Sequence, residues 1–140
     1  MPTRDLAALL SELVVQRRRG TWCMVSGVDL PDDMTPQAQI VEAEGTSSVI
    51  SIEDAARIGI APGFLAAWLT LGVHSTLDAV GLTAVVATTL AKAGIACNVV
   101  AGYHHDHLLV PIDRADEAVA LLHALGTADP GAPLERGDAP

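Results

Sequence analysis

Aromatic side chains are scarce in this chain: Phe, Trp and Tyr supply 3% of its 140 residues, although half of the residues are hydrophobic. The interior must therefore be built from Ala, Val, Leu and Ile, which suits small helices lying close on a sheet. Positive charge is scarce as well. With 17 acidic against 8 basic residues the formal net charge is −9, a field that repels phosphate backbones and anionic membrane surfaces. Nucleic acid is not an expected partner. The one basic run, Arg17-Arg18-Arg19, is followed at once by Gly20, and it reads as a solvated turn between two apolar stretches.

Cysteine is limited to Cys23 and Cys97, with no C-x-x-C spacing. That excludes a disulfide framework and a thiolate metal motif, and both residues read as small buried hydrophobes on strands. No uninterrupted apolar run reaches the roughly 18 residues of a membrane-spanning helix, and the first residues lack the charged-then-apolar order of a signal peptide. A cytoplasmic protein without membrane attachment is the expectation. Neither G-x-G-x-x-G nor G-x-x-x-x-G-K-[ST] occurs, and Ser75 is not framed by G-x-S-x-G. We therefore expect no nucleotide-dependent or nucleophile-elbow enzyme, and no catalysis.

What is present is a chain long enough for one compact unit, or for two very small parts that share a core. Thr3 is positioned to cap a short helix through Leu10, and strands are expected at 13–17 and 21–28, joined by a turn at Gly20. Residues 29–37, with Pro31 and Pro36, must form a loop; 39–44 is ambiguous; 46–52 alternates as a strand should. Ser51 and Asp54 make a capping-box pair for a helix over 53–58.

After Pro62 and Gly63 the pattern sharpens. Residues 65–74 read as a strand buried on both faces, and Ser75 or Thr76 starts a helix to about Ala93, stopped by Gly94. A strand over 95–103, a polar turn at 104–107, a returning strand over 108–112 and a helix capped by Asp113 through about Leu125 complete the order. The second half is β-α-β-β-α, one strand short of βαββαβ. The tail is too rich in Pro to supply that strand and is expected to be disordered, so the first half must lend it.

The stretch Val73-His74-Ser75-Thr76-Leu77-Asp78-Ala79-Val80-Gly81-Leu82-Thr83-Ala84, followed by Gly94 to Pro111 with Asn98-Val99-Val100-Ala101-Gly102-Tyr103 at its centre, resembles the ACT domain family. More narrowly it resembles small bacterial ACT proteins related to CASTOR-type amino-acid sensors. The resemblance implies an α+β, ferredoxin-like βαββαβ sandwich. Here it would consist of two intertwined ACT-like halves, 1–61 and 62–126, sharing antiparallel sheets with helices on one face, and a tail at 127–140. It also implies a small effector, usually an amino acid, held at a seam between units by His74, Ser75, Thr76, Asp78, Val80, Gly81, Leu82, Asn98 and Val99.

The residues suit that chemistry. An amino acid needs donors for its carboxylate and acceptors for its ammonium. The unpaired N–H groups at a helix start and the hydroxyls of Ser75 and Thr76 serve the first need, and Asp78 and Asn98 the second. Ser75 and Asp78 equally make an ordinary S-x-x-D cap, and Gly81 can be explained by close packing. The run His104-His105-Asp106-His107 invites a metal-site reading. On a strand only His105 and His107 share a face, so a hairpin turn at a subunit seam is preferred, and neither metal nor cofactor is expected. The helix over 76–93 is nearly all apolar or small, which points to a second covering layer and a homo-oligomer. A purely structural interaction module is the alternative to a sensor.

Overall fold

A computed structural model describes residues 5–73 and 79–127. In chain order the elements are α1 (Leu6–Ser11), β1 (Val15–Ser26), β2 (Ala38–Glu42), β3 (Gly45–Ser51), α2 (Ile52–Arg57), β4 (Ala66–Leu71), α3 (Leu82–Lys92), β5 (Asn98–Ala101), β6 (Asp106–Pro111), a single 3-10 turn (Ile112–Arg114) and α4 (Ala115–Thr127). The six strands form one sheet in the order β2-β3-β1-β4-β6-β5, and every neighbouring pair is antiparallel.

The strand missing from the second half is β1. It lies beside β4 on the side away from β6, with Val15 opposite Leu71 and Arg18 opposite Trp68. That is the place of the last strand in a βαββαβ unit, supplied here from the N-terminal side. The end of α4 closes on the start of β1. The His123 ring accepts from the Val15 N–H at 3.1 Å, and a Cβ on Gly126 would stand 3.1 Å from the Leu10 carbonyl oxygen.

The two strands expected at 13–17 and 21–28 are in fact one. β1 continues through Gly20, whose φ of +99° is taken up in a register shift between Arg18 and Trp22. Beyond the shift Trp22 still pairs with Ala66 of β4, and Trp22 to Ser26 pair with Ser51 to Ser47 of β3 on the other side. Ladder bonds to a different strand on each side hold the chain extended where the sequence suggested a turn. Arg17, Arg18 and Arg19 therefore belong to a strand.

The local signals fared unevenly elsewhere. Ser51 caps α2 as its spacing predicts, accepting from the Asp54 N–H at 3.1 Å. The cap of α1 is Asp5, which accepts from the Ala7 N–H; Thr3 lies outside the described residues. Asp113 caps nothing, because the 3-10 turn intervenes before α4. The ambiguous stretch after Gln37 is β2, paired with β3 from Ala38 to Glu42. β5 is shorter than expected, and Cys97 precedes it, half-buried, while Cys23 is buried on β1. Burial pushes both thiols up from their ordinary values, which keeps them protonated and inert.

One face of the sheet carries the main core. Leu69 and Leu71 of β4, Val15 of β1 and Leu108 and Val110 of β6 pack against Leu9, Leu82, Val86, Leu90, Ala118 and Leu122 of α1, α3 and α4. Full burial of a Leu or Val contributes about 1.5–3 kcal/mol, and small residues such as Ala67 and Ala118 let the helices lie close. A second cluster of Cys23, Val25, Ile50 and Ala55 sits under α2. α3 buries a single stripe, Leu82, Val86 and Leu90, and exposes Thr83, Ala84, Thr88 and Ala91. Part of the cover expected for this helix comes from the first half, where Leu6 and Leu9 of α1 pack beside it.

Candidate functional site

The strand-to-helix connection after β4 is where the sequence places the ligand. His74, Ser75, Thr76 and Asp78 lie outside the described residues. Residues 79–81 are not helical, and α3 begins at Leu82 with Gly81 as its N-cap. The helix start expected at Ser75 or Thr76 is thus displaced by about two turns, because Gly81 takes a φ of +105° that an L-residue helix cannot continue through. Gly81 provides no side-chain cap. The first intrahelical bond runs from the Val85 N–H to the Gly81 carbonyl at 2.9 Å. The amides ahead of it take no cap from Gly81, and they form the positive end of the helix dipole.

The glycine has a packing reason as well. A Cβ at position 81 would stand 3.0 Å from Cδ2 of Leu6, so α1 packs directly against this cap. Val80 is 82% exposed, whereas the Leu82 side chain is buried in the main core. Leu82 can offer a ligand only its backbone N–H.

Asn98 and Val99 open β5, an edge strand. Asn98 stands opposite Leu109, which stands opposite Trp68, and Val99 is opposite Leu108. Residues paired directly across antiparallel strands share a face. Val99 therefore joins the helix-covered core, while Asn98 points with Trp68 to the other side. Within one protomer the Asn98 side chain and the start of α3 are on opposite faces of the sheet.

That other face holds residues that the sequence reading passed over. Trp22 and Trp68, the chain's two tryptophans, meet edge to face with ring centroids 5.7 Å apart. Trp68 is only 2% exposed. The Arg18 guanidinium lies over it, 4.3 Å from the ring centroid and 5.6 Å from that of Trp22. The Trp68 indole Nε1–H reaches Thr70 Oγ1 and His107 Nδ1, each at 3.2 Å, and those two atoms are 2.9 Å apart. Nδ1 has one lone pair, so the arrangement works as a relay: indole N–H to hydroxyl, hydroxyl to Nδ1, with the imidazole proton on Nε2.

Burial above all, and then the nearby charges of Arg18 and His105, push the His107 pKa down, with Asp106 opposing. Its neutral form is the one the relay needs. The turn expected at 104–107 closes earlier, with the Gly102 N–H donating to the His105 carbonyl at 2.9 Å, and His107 is a strand residue. His105 Nδ1 is 3.3 Å from the Val73 carbonyl. Among the described residues no group of three His, Cys, Asp or Glu side chains is placed to hold a metal ion. The available signal for this face was the presence of just two tryptophans, one of them four residues beyond an arginine.

Comparison with known proteins completes the picture. The model of the ACT domain matches residues 64–124, from just before β4 to within α4. A protein of unknown function from Vibrio cholerae, described as a possible transport protein, is 35% identical; the similarity covers 86% of this chain and 95% of that one, with a TM-score of 0.77. Residues 64–124 match the ACT domain family. The fold recurs at lower identity. A protein from Agrobacterium tumefaciens is 19% identical over 81% of this chain and 89% of that one, with a TM-score of 0.58. The ligand-free regulatory subunit of aspartate kinase from Thermus thermophilus is 11% identical over 79% and 95% of the two chains, with a TM-score of 0.57. No curated protein matches the sequence. These likenesses fix the ACT fold as mixed α+β, with an antiparallel sheet and helices on one side.

Proposed function

We propose that the chain is a regulatory ACT module without catalysis of its own, that it binds a small molecule, and that the ligand is an amino acid. The observation that carries this reading is the ACT match over residues 64–124, the segment that holds the uncapped start of α3 and the edge strand β5. Donors at a helix start favour a carboxylate, and an exposed Asn98 can donate and accept at once.

Because Asn98 and the α3 start face opposite sides of the sheet, a ligand touching both must lie at a seam where a second copy adds its own β5 or α3. The proposal therefore includes a homo-oligomer. It takes 1–61 and 62–126 as two ACT-like halves that share β1, and it extends to the kinship with CASTOR-type sensors. Binding would act by favouring one arrangement of the units over another, since a ligand shifts only states it distinguishes.

A thermal-shift screen against the twenty amino acids tests the reading. A ligand present at a hundred times its Kd stabilises by about 2.7 kcal/mol, which is a readily visible rise in midpoint. Asn98→Ala is expected to fold normally and lose that rise. If no amino acid moves the midpoint, the non-catalytic interaction module becomes the better account. The exposed Ile40 and Val41 on the edge strand β2 favour that second reading.

A further inference from the structure

The helix-free face carries more chemistry than packing requires. The Trp22 Nε1–H is shielded from solvent and has no acceptor among the described residues, a state that costs about 1–3 kcal/mol when nothing compensates it. Beside it the Arg18 guanidinium lies over the Trp68 ring, 4.3 Å from its centroid. Among the described residues its one hydrogen bond goes from a terminal nitrogen to Gln37 Oε1 at 2.9 Å, although a guanidinium carries five N–H donors. The contact with Trp68 limits where the fork can go, so less freedom is lost when its edge pairs with an anion.

The ground next to this cation is apolar. Met24 follows Trp22 by two positions on β1, so both point the same way, and it pairs with Val49, which pairs with Ala38. Ile40, two beyond Ala38, shares that face. Both Met24 and Ile40 are about half exposed. A cation, a donor without a partner among the described residues and the apolar side chain of Met24 share this face.

We propose that Arg18 and Trp22 form a binding site for a small carboxylate with an apolar body. The carboxylate pairs with the free edge of the Arg18 fork and accepts the Trp22 N–H, while the body lies along Met24. The site is separate from the start of α3, which is on the opposite face of the sheet, and it does not depend on the amino-acid reading above. The overall charge of −9 disfavours anions at long range, so recognition here is local and short-ranged.

Both tryptophans of the chain belong to this cluster, so intrinsic fluorescence reports on it alone. Titration of the full chain with benzoate is expected to give a saturable change in emission, and benzyl alcohol, the uncharged counterpart, none. Arg18→Gln should raise the benzoate Kd at least tenfold. Trp22→Phe, which keeps a ring but removes the donor, should raise it severalfold, with Trp68 left to report. Equal responses to benzoate and benzyl alcohol, an unchanged Kd in Arg18→Gln, or no saturable response to benzoate would each overturn the proposal. Should Arg18→Gln fail to fold, an unchanged Kd in Trp22→Phe is sufficient to reject it.

Discussion

Strand β4 carries two chemistries back to back. Ala67, Leu69 and Leu71 face three helices and are enclosed by aliphatic side chains, whereas Ala66, Trp68 and Thr70 face the side without helices, where aromatic, cationic and hydroxyl groups gather. The first face is held by area and shape, which tolerate little loss of volume. The second is held by a few directional contacts among Arg18, Trp22, Trp68, Thr70 and His107. The difference teaches where specificity can reside in an ACT fold so poor in aromatics. Interchangeable aliphatics make the core, and the unusual side chains are concentrated on the face that the helices leave open.

The sharpest break of this contrast is Leu69→Ala. Leu69 is fully buried, and its truncation should cost roughly 2–5 kcal/mol by urea denaturation; a loss below about 1 kcal/mol would mean that the helix-covered face is not close-packed. On the other face Trp68→Phe keeps the ring beneath Arg18 but removes the indole donor. We expect a loss of roughly 1–3 kcal/mol from the indole hydrogen bond, and Thr70→Ala added to it should cost less than Thr70→Ala alone, because the indole–hydroxyl bond is already gone. Full additivity of the two changes would show that the three groups do not act together.

Gly81→Ala tests the cap between β4 and α3. The positive φ, together with the approach of Leu6, predicts a loss of about 1–2 kcal/mol, and a neutral substitution would show that the cap relaxes freely.

The smallest expected effect is that of pH. His107 is held below its ordinary value by burial and then by Arg18 and His105, so the unfolded chain takes up its proton first as pH falls. The stability that depends on neutral His107 is complete above about pH 6.5, the unfolded value. It declines as pH drops from there toward the lower native pKa, and the decline stops once both states are protonated. Midpoints measured from pH 8 to pH 5 should show this decline, and His107→Gln should flatten it; an identical profile in the variant would place the titration elsewhere.

Much of the second half was legible because its signals are local or periodic. The doubly apolar run expected as a strand over 65–74, Gly94 after α3 and the apolar run expected as a strand over 108–112 each point to an element without reference to anything distant. The Ser51–Asp54 cap is equally local. The start of α3 was misplaced because a serine, a threonine and an aspartate offer a good cap wherever they stand, while the positive φ of Gly81 depends on how α1 packs beside it. The run Arg17 to Gly20 was misjudged for a similar reason, since a glycine after three arginines suggests a turn unless strands on both sides keep it extended. The candidate site was legible in part. Gly81 and Asn98 were singled out, but their separation onto opposite faces follows from a register no short segment contains.

By itself the sequence determined the composition of the core, the order of most elements and the absence of a β-strand from the second half, because each is written in spacings of a few residues, and its stretch over 73–111 carried the resemblance to ACT domains. Tertiary structure alone decided that β1 fills the vacant place beside β4. It also decided that Arg18, Trp22, Trp68 and His107 meet on one face. The physical reason is that antiparallel pairing joins residues far apart in the chain, so which side chains become neighbours is set by register and bulge, and these are fixed only when the whole sheet closes around its core.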